Sequence, residues 1–227
     1  MKISVVIPAY NEERDIADVL YDVKKYFRHA EIIVVNDAST DKTYEILRRI
    51  QRQSKVKNLH ILSNNVNKGH GFSVIKGLKA ATGKFILYID ADRQIDLALP
   101  ILRNDFYWDI VTGKRINRQD KAFRKFISFC LRWTIRLKYH YRIQDANCPF
   151  KLYRRAAILP LLDQIPNSYI VPIACLQVLA EKDHRVIATI PVFHHRYIGT
   201  RKGFLQSLDL KTMWFFIRAF FEVISLS

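Results

Sequence analysis

The chain has 227 residues, 49% of them hydrophobic and 26% charged, which excludes wholesale disorder, collagen-like repeats and a low-complexity scaffold. Its 37 Lys and Arg against 21 Asp and Glu give a formal net charge of +16, a surface that attracts nucleic acid, acidic lipid or phosphorylated small molecules. Cys130, Cys148 and Cys175 are widely spaced with no CxxC pair, which argues against a zinc ribbon or redox motif and for free thiols in a reducing compartment.

Ile3 to Ile7 is an apolar run closed by Pro8, a strand pattern, and it is too short for a signal peptide, so no leader is expected. Glu12 to Phe27 carries Ile16, Val19, Leu20, Val23 and Phe27 at helical spacing. Glu31 to Val35 predicts a second strand, and Ser39 or Thr40 is placed to cap a helix through Leu47 and Ile50. Leu59 to Leu62 predicts a third strand, Phe72 to Ala81 a helix stopped by Gly83, and Phe85 to Ile89 a fourth strand. Strands this apolar, alternating with helices, predict an α/β fold whose mostly parallel sheet is covered on both faces.

After Gln94 the rhythm changes. Asp109 to Thr112 predicts one more strand, Lys121 to Arg142 a basic amphipathic helix, and Asp145 to Arg155 a compact polar-aromatic segment. Tyr169 to Glu181 reads as a helix, Val186 to Val192 as a strand, and His194 to Lys202 as a basic loop. We expect one domain over 1–204 and an aromatic C-terminal helix over 205–227 that packs, dimerises or dips into lipid. No apolar run reaches the roughly 18 residues of a membrane span.

Polar residues gather where strands end, and parallel sheets bind ligands at their carboxyl ends. Pro8-Ala9-Tyr10-Asn11-Glu12 follows the first strand, Asn36-Asp37 the second and Asp90-Ala91-Asp92-Arg93-Gln94 the fourth. Asp90 and Asp92, two apart, suit a hard divalent cation that would bridge to a diphosphate; Gln94 adds an amide oxygen at the same spacing, and a solvated turn is the plain alternative. Asp37 either accepts from a nucleobase N–H or caps the next helix. Asn67 to Gly71 is no dinucleotide fingerprint, because Val74 stands where the third glycine belongs, but Lys68 there suits a phosphate contact or a plain turn.

Arg115, Arg118, Arg196, Arg201 and Lys202 are cations of the kind that meet phosphates, or are solvated. Asp145 reads as a base or acceptor-orienting group, or as the partner of Arg142 or Arg155. His194 and His195 are adjacent in an extended segment, point to opposite faces, and so do not chelate together.

These segments together resemble the inverting family-two glycosyltransferases of GT-A fold, most closely the branch of dolichol-phosphate mannosyltransferases and polyprenyl-phosphate glycosyltransferases. The carriers are P-A-Y-N-E at Pro8 to Glu12, the D-D-x-S-x-D-x-T pattern at Asn36 to Thr43, and N-x-G-x-G at Asn67 to Gly71. They continue through G-x-x-x-A-x-G at Gly77 to Gly83, D-A-D-x-Q at Asp90 to Gln94 and G-x-R at Gly113 to Arg115. The D-x-x-C-x-F-K-L-Y-R-R stretch from Asp145 to Arg155 and R-x-x-G from Arg196 to Gly199 complete the set. Asn36 departs from the family's first Asp, Arg93 places a cation inside the acidic motif, and Pro149 and Arg201 stand where Gly and Ser are usual.

The resemblance implies a metal-dependent hexosyltransferase that uses a UDP- or GDP-sugar with Mg²⁺ or Mn²⁺. It places Pro8, Ala9, Tyr10, Asn11, Glu12, Asp37, Lys68, Asp90, Ala91, Asp92 and Arg115 around the nucleotide-sugar, and Asp92 and Gln94 on the metal. It places Arg115, Arg196 and Lys202 at phosphates of donor or acceptor, and Asp92 in catalysis; Asp145 is the base if the acceptor is a hydroxyl. The expected acceptor is a polyprenyl phosphate, and the expected location is cytoplasmic, peripheral at the inner face of an anionic membrane. A homo-oligomer is compatible with the aromatic tail, and nucleic acid is not expected as a partner. The rival readings are transfer to a sugar hydroxyl of a glycan or glycolipid, a non-catalytic nucleotide-sugar binder, and a basic nucleic-acid-binding protein.

Overall fold

The apolar runs become neighbouring strands of one seven-stranded sheet in the order β3-β2-β1-β4-β6-β5-β7. The computed structural model describes residues 2–53, 55–97, 107–117, 122–195 and 210–226. Its first half alternates as β1 (Ile3–Ala9), α1 (Ile16–Tyr26), β2 (Glu31–Asn36), α2 (Thr43–Arg52), β3 (Leu59–Ser63), α3 (His70–Ala80) and β4 (Phe85–Ile89). β1 pairs in parallel with β2 and β4, and β2 with β3, so their carboxyl ends share one edge.

The second half adds β5 (Ile110–Ile116), α4 (Ala122–Tyr139), β6 (Phe150–Arg154), α5 (Arg155–Leu162), α6 (Pro172–Lys182), β7 (Ile187–Phe193) and α7 (Leu210–Ile224). β6 runs antiparallel between β4 and β5, and β7 pairs in parallel with β5. Residues 145–155, expected as a compact segment, therefore contain a central strand. Lys151 and Tyr153 interrupt its apolar pattern, yet both are buried, at 1% exposure each.

One sheet face packs Val5, Ile7, Ile32, Val34 and Leu87 against Ile16, Leu20 and Leu47 of α1 and α2. The other packs Val6, Ile33, Val35 and Ile86 against α3, α5 and α6, and Ala219, Val223 and Leu226 join this second core from the α7 end of the chain. Glu222 is also buried and accepts from the backbone N–H groups of Ile170 (2.7 Å) and Val171 (3.1 Å), so α7 is seated on the body. The cation and hydroxyl at the end of α4 close the C-terminus of α7: Lys138 donates to the Ile224 carbonyl and Tyr139 to that of Val223.

Candidate active site

Six strands share one direction, so Glu12, Asp37, Asp90, Asp92, Arg115 and His195 all follow or end strands at one edge. Asp145, just before the opposed β6, joins them. The loops after β1 and β2 are woven together there. Asn11 N–H donates to Ser39 Oγ (3.0 Å), Thr40 N–H to Asn11 Oδ1 (2.8 Å), Glu12 N–H to Thr43 Oγ1 (2.7 Å) and Glu13 N–H to Asp41 Oδ2 (3.1 Å). Ser39 and Thr40 therefore do not cap α2, as the sequence suggested. Asp41 receives the Thr43 N–H (3.0 Å) at the start of that helix instead, because the serine and threonine are spent on the neighbouring loop. Pro8, Ala9 and Ala91 are buried, so what they offer a ligand is main chain.

Asp37 is 2% exposed and caps no helix either. Its Oδ1 accepts from Asn64 Nδ2 (2.7 Å) and the Lys68 N–H (2.8 Å), and its Oδ2 from the Gly69 N–H (2.8 Å). The carboxylate thus holds the loop that leads into α3 and leaves the Lys68 side chain exposed. Gly69 has φ 91°, left-handed backbone that suits glycine.

After β4, Asp90 and Asp92 border a cleft of about 200 Å³ that Ile95 and His195 also line. Burial, then the Asp90 charge, then Glu12 and Asp15 push the Asp92 carboxyl up to about 7, opposed by a hydrogen bond from the Gln94 N–H. Carboxylates crowded in this way are hard oxygen donors of the kind that fit Mg²⁺ or Mn²⁺. Among the described residues no three His, Cys, Asp or Glu side chains form a ready ligand set. Gln94 is tied across the edge: its Nε2 donates to the His195 carbonyl (3.2 Å) and its carbonyl accepts the His195 N–H (2.8 Å).

Arg93 does not add a cation to this cluster. It has φ 54° and turns onto α1, where it meets Asp18 at 2.6 Å and Asp22 at 3.8 Å.

Two residues that composition and spacing did not single out complete the cluster. Tyr88 Oη donates to Asp90 Oδ1 (2.6 Å), and His70 Nε2 lies 3.1 Å from Tyr88 Oη. Strand alternation was the available signal: Tyr88 stands two residues before Asp90 and shares its face. Asn64, the partner of Asp37, was missed because it lies in an unremarkable turn.

At the other end, Arg115 and Asp145 find one another. Arg115 Nε donates to Oδ2 (2.7 Å) and Nη2 to Oδ1 (2.8 Å), with both side chains under 10% exposed. The partner of Asp145 is thus Arg115, not Arg142 or Arg155. Beneath the pair, Lys151 Nζ donates to Thr112 Oγ1, to Gln177 Oε1 (2.6 Å) and to the Asp145 carbonyl (3.3 Å). Burial lowers its ammonium to about 8. Arg118, Arg196, Gly199, Arg201 and Lys202 lie outside the described residues.

The glycosyl transferase family 2 model matches residues 4–160. The chain is 31% identical over 217 residues, 92% of its length, to the undecaprenyl-phosphate 4-deoxy-4-formamido-L-arabinose transferase of Pectobacterium atrosepticum, and spans 64% of that protein. Its fold is similar to that of glucosyl-3-phosphoglycerate synthase from Mycobacterium tuberculosis, solved with Mn²⁺, UDP and glucosyl-3-phosphoglycerate. The TM-score is 0.71 at 16% identity, over 99% of this chain and 79% of that one. A mannosyltransferase from Pyrobaculum calidifontis, solved with GDP-Man and Mn²⁺, gives a TM-score of 0.64 at 19% identity, over 88% of this chain and 58% of that one.

Proposed function

The chain belongs to glycosyl transferase family 2, and from that footing we propose that it moves a hexose, with inversion, from a UDP- or GDP-linked sugar to a polyprenyl phosphate at a membrane surface. The observation that carries the donor half is the crowding of Asp90, Asp92, Glu12 and Asp15 at the carboxyl edge of the parallel strands, which pushes Asp92 to about 7. Asp92 and Gln94 would hold Mg²⁺ or Mn²⁺ there, with Asp90 beside the nucleotide-sugar. When bound, the ion supplies charge neutralisation for the departing nucleoside diphosphate. The braced backbone from Pro8 to Glu12 forms one wall for base and ribose. The loop held by Asp37 presents Lys68 to the phosphates. Arg196 and Lys202, assigned from sequence, serve the phosphates on the acceptor side, while Arg115 is held by Asp145.

A phosphate acceptor is favoured over a hydroxyl by the state of Asp145. A hydroxyl nucleophile needs a base, and both oxygens of Asp145 already accept from Arg115. An anionic phosphate needs none. The Pectobacterium relative is named for undecaprenyl phosphate, which supports the same choice.

The exposed surface supports peripheral membrane contact. α4 presents Phe126, Phe129, Trp133 and Leu137 on one stripe, and α7, packed on α4, presents Met213, Trp214, Ile217 and Phe221. Lys125, Arg132 and Arg136 accompany the first stripe, a pattern suited to anionic headgroups. Among the described residues no helix is long and apolar enough to cross a membrane.

Calorimetry with UDP, GDP and their sugars, with and without Mn²⁺, tests the donor half. One nucleotide should bind in a metal-dependent way, and Asp92→Ala should weaken it by more than about tenfold. Folded protein that binds none overturns the reading. Labelled sugar should then pass to polyprenyl phosphate and not to free polyprenol; the reverse pattern assigns a hydroxyl acceptor.

A further inference from the structure

Tyr88 is 3% exposed, and its hydroxyl stands between His70 and Asp90, of which Asp90 borders the cleft. A phenol carries one proton, and the 2.6 Å bond gives that proton to Asp90 Oδ1. The 3.1 Å contact with His70 must then run the other way, with Nε2–H donating to Tyr88 Oη. The direction follows from counting protons, and it requires a hydrogen on His70 Nε2 in either charge state. His70 Nε2 also lies 3.7 Å from Asp90 Oδ1.

The base of this arrangement is rigid. A Cβ at Gly71, in the first turn of α3, would come 2.0 Å from the Tyr169 carbonyl oxygen, and one at Gly77 would come 2.4 Å from Val6 Cγ1. α3 is thus seated directly on the segment before α6 and on β1, and Asp37 holds the Gly69 N–H just ahead of His70. The side chains themselves are less enclosed: that of His70 is 54% exposed and that of Asp90 26%, beside the like charge of Asp92, so hydrogen bonds rather than packing orient the acid.

We propose that His70 and Tyr88 are positioning residues of the donor site: they anchor Asp90 Oδ1 in a hydrogen-bond chain through the buried Tyr88 hydroxyl, so that Oδ2 stays beside Asp92 to meet the nucleotide-sugar. Preorganisation of this kind lowers the cost of bringing two acids to one ligand. The inference rests on the reading of this edge as a nucleotide-sugar site. Tyr88→Phe keeps the ring and removes only the hydroxyl. His70→Ala removes the donor, and His70→Gln returns an N–H near the Nε2 position.

Two measurements on the full chain test the idea. Long-range ¹⁵N–¹H spectra should show hydrogen on His70 Nε2, with that nitrogen's resonance moved in Tyr88→Phe. Donor Kd and KM should rise about tenfold in Tyr88→Phe and severalfold in His70→Ala, with kcat within about threefold and His70→Gln within about twofold of wild type. An Nε2 without hydrogen, or wild-type affinity in both Tyr88→Phe and His70→Ala, overturns the inference alone. Wild-type protein that binds no nucleotide overturns the donor-site reading and takes the inference with it.

Discussion

At the β4 end of the functional edge, Asp90 and Asp92 crowd one another while the adjacent cation, Arg93, is turned away onto Asp18 and Asp22. At the β5–β6 end, Asp145 is closed by hydrogen bonds from the Arg115 guanidinium and backbone N–H, and Lys151 is surrounded by acceptors. The first cluster leaves negative charge for a ligand to neutralise. In the second, the carboxylate is already paired within the protein. Metal chemistry suits the first, and rigid support for an anionic acceptor suits the second. The two ends should therefore respond to mutation with opposite signs.

The largest effect is expected where the compensated end is broken. Arg115→Ala strands a buried carboxylate and should cost about 3–5 kcal/mol in urea unfolding, with Asp145→Ala similar and the double variant well short of the sum. Additive losses would mean that the pair is not coupled.

Lys151→Met should cost less, about 1–3 kcal/mol, since Gln177 and Thr112 lose a donor while a buried charge is also removed. The pH dependence has a definite sign. The folded-state pKa of Lys151 is about 8, below its ordinary 10.5. Between these values the unfolded chain binds more protons, so this group's destabilisation is full below pH 8 and is relieved as pH rises towards 10.5. Urea midpoints at pH 7.5 and 9.5 should show that contribution in wild type and lose it in Lys151→Met.

The uncompensated end should move the other way. Asp92 is raised from an ordinary 3.8 to about 7. Between those values the folded state holds the proton more tightly, so ionisation costs stability as pH rises, fully above 7 and not at all below about 4. Asp92→Asn should raise the melting temperature of metal-free protein at pH 8 by about 2–4 °C and leave it unchanged near pH 4. The same variant should lose metal-dependent nucleotide binding. A lower melting temperature at pH 8 would show that the acids are not in conflict.

The smallest effect on stability belongs to the exposed stripe. Trp133→Ser and Phe221→Ser, at residues 50% and 63% exposed, should shift unfolding by no more than about 0.5 kcal/mol. Flotation with anionic vesicles should nonetheless fall clearly, and unchanged flotation would remove the membrane from the account.

The donor half of the fold was legible because its information is local. Runs such as Val5 to Ile7 and Ile32 to Val35 are too apolar to face water, and each is followed by polar residues at its carboxyl end. That is enough to bring Glu12, Asp37, Asp90 and Asp92 to one edge. The acceptor half was less legible because β6 carries Lys151 and Tyr153, which break the apolar pattern. Their burial depends on partners from β5, the 145 loop and α6, far apart in the chain.

The sequence by itself determined the alternation of strands and helices, the edge where the acids gather, and the family to which those motifs belong. Only the tertiary structure decided how each charge is spent. It gave Asp145 to Arg115, Arg93 to α1, the serine and threonines of the second loop to the first, and Asp37 to the loop before α3. Strand and helix patterns repeat over a few residues and can be read along the chain. Hydrogen bonds and ion pairs join groups tens of residues apart, and which acceptor a donor reaches is set by the packing that brings them together.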